Sequence, residues 1–203
     1  MAASFDKQMS IQSTFFSRCS ESEYAQATVI DNWNAFVAAG RHGVRVAMPE
    51  VLSYSDYRHF FNQVLTPGMP GALPPVESLY KDWGGHKAGL QHGQGFYLGD
   101  SARHAQQLLD TLQIDIPKEY FATPDHLLIL LELYGFLLEH ASAGEAQSFA
   151  TSHFDWLDIY CNLLDKRLES ETDESLKAAG VFYQGLICYI EDMVTSEQAV
   201  QSA

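Results

Sequence analysis

Pro124-Asp125-His126 places two ionisable side chains at the mouth of the most apolar segment of the chain, where ten of the twelve residues from Leu127 to Leu138 are apolar. A carboxylate and an imidazole in such a setting can move a proton, orient a partner or hold a cation. Thr123 followed by Pro124 predicts an N-cap with proline at the first helical position. Asp125 and His126 are then expected in the first turn of a helix buried on nearly every side. The partial positive charge at a helix start suits Asp125 and disfavours a protonated His126. Asp125 is therefore the better candidate for taking an arginine in a two-bond fork, with neutral His126 as its neighbour.

Other chemistries lack their signatures. Ser78 follows Glu77, but no G-x-S-x-G elbow surrounds it. Gly93-x-Gly95-x-x-x-Gly99 has neither the spacing nor the following lysine of a phosphate loop. No Glu-x-x-His or His-Glu-x-x-His occurs, so the eight histidines supply no helical metal pattern. Adjacent pairs such as Glu139-His140 point about 100° apart on a helix and share a metal poorly. A small all-helical metal-dependent hydrolase using Asp125, His126 and His153 stands as the alternative. Cys19, Cys161 and Cys188 form no C-x-x-C pair and read as inert, buried thiols.

The elements that must position these residues read as helices throughout. Ser20-Glu21-Ser22-Glu23 is a capping box, followed by a stripe of Tyr24, Ala27, Ile30, Trp33, Phe36 and Val37. A second helix is expected from about Pro49 to Leu65. Thr66 to Pro75 then holds four prolines and two glycines, and Gly84 to Gly99 holds six glycines, so regular helix cannot continue through either. Residues 66–99 are thus a long connection with a short helix around Val76–Trp83, whose aromatics (Tyr80, Trp83, Phe96, Tyr97) are expected to offer apolar contact. Further helices follow, capped at Asp100-Ser101 and Thr123, beginning near Gly144, Phe154 and Thr172. The expectation is an all-α bundle of about 8–10 helices in a single domain: a helical half 1–65, a crossover 66–99 and a helical half 100–203.

With 203 residues and 46% hydrophobic content, the chain can bury a core without disulfides. The net charge of −14 disfavours nucleic acid and anionic membranes and favours a basic peptide. No window is apolar enough to span a bilayer and no signal peptide is evident, so stable membrane insertion is not expected and a cytoplasmic location is.

Pro74-Pro75-Val76-Glu77-Ser78-Leu79-Tyr80, Leu98-Gly99-Asp100-Ser101 and Pro124-Asp125-His126-Leu127 resemble, in order and separation, motifs of the TorD/DmsD/NarJ family of redox-enzyme maturation chaperones. His153-Phe154-Asp155-Trp156 continues the likeness, which covers roughly residues 57–168. The resemblance implies an all-helical cytoplasmic chaperone, not an enzyme. It would bind the N-terminal or twin-arginine signal region of a molybdopterin oxidoreductase catalytic subunit and assist cofactor insertion before export. It further implies signal-peptide binding by Pro75, Val76, Glu77, Ser78, Tyr80, Gly99, Asp100, Pro124, Asp125 and His126. No resident cofactor or metal is implied, only weak contact with guanine nucleotide or the molybdenum cofactor. The implied state is a monomer, with domain-swapped dimers known in the family. Val76 stands where members often carry an aromatic residue, which implies a shallower groove.

Overall fold

Seven α-helices account for most of the described residues, which in this computed structural model are 13–29, 51–81 and 97–201. They are α1 (Glu21–Ala27), α2 (Tyr54–Phe60), α3 (Asp100–Leu112), α4 (Leu127–His140), α5 (Ala143–His153), α6 (Leu157–Glu169) and α7 (Glu174–Gln201). Among the described residues there is no strand, only an isolated antiparallel bridge between Val76 and His126. The fold is all-α.

Local signals set most helix starts. Ser20 and Ser142 each close a capping box, with Glu23 and Glu145 respectively. The Ser53 hydroxyl accepts from the Asp56 amide, which moves the start of α2 to Tyr54, five residues beyond the expected Pro49. Helix α1 ends at Ala27, where the Thr28 hydroxyl bonds back to the Tyr24 carbonyl at 2.7 Å. The rest of the predicted stripe, from Ile30 to Val37, lies outside the described residues. So do Trp83, Phe96, His86, His92, Gly93 and Gly95. Phe61–Leu65 is a π-helical turn continuing α2, and the short helix expected around 76–83 is a single 3-10 turn, Glu77–Leu79.

One expectation fails at the most informative place. Thr123 is not the N-cap of α4. His126 is, with extended backbone (φ −66°, ψ 139°), and its ring Nδ1 accepts from the Leu128 amide at 3.2 Å. Asp125 therefore precedes the helix. The cause is competition for backbone groups. The Leu127 amide donates to the Pro75 carbonyl at 2.8 Å and the Glu77 amide to the Asp125 carbonyl at 3.1 Å, so 125–127 is committed to the 75–77 segment.

Packing holds α4 in place. Leu127, Leu130 and Leu131 are fully buried, and each such side chain contributes about 1.5–3 kcal/mol on leaving water, more than any single cap. Helices α6 and α7 pack side by side, and α7 also meets α2 and α5. The N-terminal residues close the far end. Tyr183 stacks on Phe60 (centroids 4.4 Å apart) and donates from its hydroxyl to the Phe15 carbonyl at 2.7 Å.

Candidate functional site

The three separated motifs meet in space. Residues 73–81 lie as a strap across the corner between α5 and α6. The Tyr160 hydroxyl donates to the Leu73 carbonyl and the Tyr80 hydroxyl to the Pro74 carbonyl, both at 2.8 Å. Tyr80 stacks on Trp156, with centroids 5.5 Å apart and planes 6° from parallel. Tyr80 is therefore an internal anchor and not an exposed contact, while Tyr97 is 44% exposed. The other edge of the strap is held by the Val76–His126 bridge.

Beneath the strap runs a polar chain. Glu77, fully buried, accepts from His153 Nδ1 at 2.6 Å. His153 Nε2 in turn faces His104 Nδ1 at 2.7 Å, and the two rings stack within 7° of parallel. On the other side, Lys81 Nζ lies 3.6 Å from Glu77 Oε1 and 2.6 Å from Asp155 Oδ1, and it donates to the Ser152 carbonyl. That places an ammonium at the carbonyl end of α5, where the helix field favours it. Burial, reinforced by the Lys81 charge, pushes His153 down to about 4. A neutral ring suits the arrangement, because the lysine already balances the glutamate. The bond directions then assign His153 as an Nδ1–H donor to Glu77 and an acceptor from His104.

Asp125 is fully buried beside this chain. Its Oδ2 accepts from the Ser78 amide at 2.7 Å. Its Oδ1, and the buried hydroxyls of Ser78 and Ser101, have no hydrogen-bond partner among the described residues. Burial pushes the Asp125 carboxyl above its usual range, and Ser78 pulls it partly back. His126 is half-buried, and desolvation holds its ring below the usual imidazole range.

The candidate residues divide by exposure. Pro75, Val76, Glu77, Ser78, Tyr80, Pro124 and Asp125 are buried, Gly99 and His126 are intermediate, and Asp100 is exposed. Next to them opens a groove of about 440 Å³ between α3 and the turn before α4. Leu98, Ala102, Phe121 and Pro124 give it apolar walls, and Gln106 and Asp110 are among its polar members. Leu98 and Phe121 are 52% and 59% exposed and both line this groove, so they form one apolar lip. The sequence reading missed Lys81, His104 and Phe121. Lys81 stands four residues after Glu77, a spacing that pairs charges on a helical turn; nothing local marks His104.

A protein-family model, described as nitrate reductase delta subunit, matches residues 51–176, which is more than half of the chain and includes all ten candidate positions. The chain belongs to that family. No curated protein and no solved structure matches it. The nitrate reductase delta family comprises molybdoenzyme maturation chaperones, not catalysts, and its partners are molybdoenzyme catalytic subunits. In this delta-family chain, no group of three or more His, Cys, Asp or Glu side chains among the described residues is arranged to hold a metal ion. Nor is any helix among them long and apolar enough to cross a membrane.

Proposed function

We propose that this chain is a cytoplasmic chaperone that binds the N-terminal, signal-bearing segment of a molybdopterin oxidoreductase catalytic subunit and keeps that subunit available for cofactor insertion. The observation that carries the reading is the open groove of about 440 Å³ whose apolar wall ends at Pro124, directly beside the buried strap. An amphipathic peptide lays its apolar residues into such a groove. The net charge of −14 steers a basic segment toward the protein.

Exposure assigns two kinds of role within the proposed site. Asp100, Gly99, His126 and Pro124 stand at or near the groove and can touch a peptide, together with Leu98 and Phe121. Pro75, Val76, Glu77, Ser78, Tyr80 and Asp125 act through the wall they hold in place. Asp125 Oδ1 is a buried carboxylate oxygen with no hydrogen-bond donor among the described residues, and it is an acceptor a peptide arginine would meet if the wall opens around it.

Co-purification tests this reading. The tagged chain should retain an intact molybdopterin oxidoreductase catalytic subunit from the same cells and lose it when that subunit lacks its N-terminal segment. Equal retention of the truncated subunit would move the contact elsewhere. A hydrolase built on Asp125, His126 and His153 gains no support from the geometry, because His153 is held between Glu77 and His104 while the His126 ring caps α4.

A further inference from the structure

Cys161 on α6 and Cys188 on α7 read from sequence as unrelated thiols, yet the helix pairing brings their sulfurs to 3.7 Å. Both are free and half-buried. We propose that Cys161 and Cys188 form an oxidisable pair that closes to a disulfide, stapling α6 to α7 across the turn between them. The contact belongs to the side-by-side pairing of α6 and α7. Gly180, one face along α7, lies so close to α6 that an added Cβ would stand 2.3 Å from Leu168 Cδ1. Closing from 3.7 Å to a bond of about 2.05 Å requires the two side chains to turn toward each other about their Cα–Cβ bonds.

The surroundings select the oxidant. Asp165 and Glu191 act electrostatically on Cys161, so an anionic disulfide such as oxidised glutathione is repelled, whereas hydrogen peroxide is small and neutral. One thiolate sulfur attacks a peroxide oxygen. The O–O bond breaks, and hydroxide leaves and takes up a proton as water, giving a sulfenic acid. The second sulfur attacks the sulfenic sulfur. The S–S bond forms, the S–O bond breaks, and the thiol proton departs with the hydroxide as a second water. The two thiols give up two electrons and two protons, and one peroxide is reduced to two waters.

Burial, with Cys188 and the two carboxylates nearby, pushes the Cys161 thiol up to about 12. The reaction is therefore slow at neutral pH and speeds up as pH rises. The same preference for protonated thiols over thiolates makes the disulfide, once formed, hard to reduce. Cys19 is the internal control. It is buried against Tyr57, its thiol donating to that hydroxyl at 3.3 Å, in a different part of the core.

The test exposes the full-length protein to hydrogen peroxide, quenches, unfolds it, and labels remaining thiols with iodoacetamide before intact-mass and peptide analysis. The expected result is one label, on Cys19, with the Cys161 peptide joined to the Cys188 peptide, all three labels returning after dithiothreitol. The oxidised protein should also unfold several degrees higher than the reduced one. Cys161→Ala and Cys188→Ala should each abolish the cross-link. Three labels after exposure, separate sulfinic acids on Cys161 and Cys188, or a cross-link through Cys19 would each overturn the proposal.

Discussion

Burial is the main cause that holds His153 neutral, and the Lys81 charge adds to it; Lys81 also balances Glu77, and His104 fills the remaining ring nitrogen. The folded protein holds His153 at about 4, below its ordinary 6.5. The stability this neutral ring contributes is complete above pH 6.5 and is lost as pH falls through about 4. Asp125 has the opposite sign. Its carboxyl is raised from 3.8, so its contribution is complete below that value and is lost as pH rises through the raised one. Urea unfolding between pH 4 and 7 should therefore show a His153-dependent fall in stability toward acid, of about 1.4 kcal/mol per pH unit at its steepest. His153→Gln should make the acid limb shallower, leaving the part carried by His126 and His104, while Asp125→Asn should steepen it. Lys81→Met removes the ammonium that stands 3.6 Å from the buried Glu77 carboxylate. The expected loss is about 3 kcal/mol, measured by urea unfolding at neutral pH. In the same variant the His153 titration followed by NMR should move upward, since the lysine is one cause of its depression.

At the scale of elements, two backbone features make sharp predictions. Helix α3 ends on Gln113 in the left-handed region (φ 57°), with the Ile114 amide returning to the Leu109 carbonyl at 2.9 Å. Glycine adopts that conformation without strain, so Gln113→Gly should raise stability by about 0.5–1 kcal/mol in urea unfolding. Gly180→Ala should lower it by about 1–3 kcal/mol, because the Leu168 side chain must leave its place at the α6–α7 crossing. Adding Leu168→Ala should recover part of that steric loss. The capping box at Ser20 and the apolar run of α4 were legible in the sequence because they depend on residues a few positions apart. The start of α4 was not. Thr123-Pro124 is a sound local signal, but the 75–77 strap, about fifty residues earlier, takes the backbone groups that a helix start would need free. Tyr80 was misread for the same reason: its stacking partner Trp156 lies far along the chain. The pairing of Cys161 with Cys188 and of His104 with His153 likewise exists only once helices pack.

Across the whole molecule, the motifs that carry the family likeness turn out to be mostly internal. They bind the strap, the α5–α6 corner and the start of α4 into one wall, and the groove is the open side of that wall. The sequence indicated the wall, residue by residue, but not the groove: Leu98 heads the Leu98-Gly99-Asp100-Ser101 motif, while Phe121 comes from a segment with no motif of its own. Leu98 holds a left-handed backbone (φ 60°) at the groove edge, a conformation that costs a residue with a side chain and is free for glycine. Leu98→Gly combined with Phe121→Asp should thus keep the fold while removing the apolar lip. The most direct measurement is a calorimetric titration of a twin-arginine signal peptide into the wild-type chain and this double variant, at low and high salt. Binding should be clear at low salt, weaken as salt screens the acidic surface, and fall at least about tenfold in the variant. No binding at low salt, or equal binding by a folded double variant, would contradict the assignment of this groove to the client peptide.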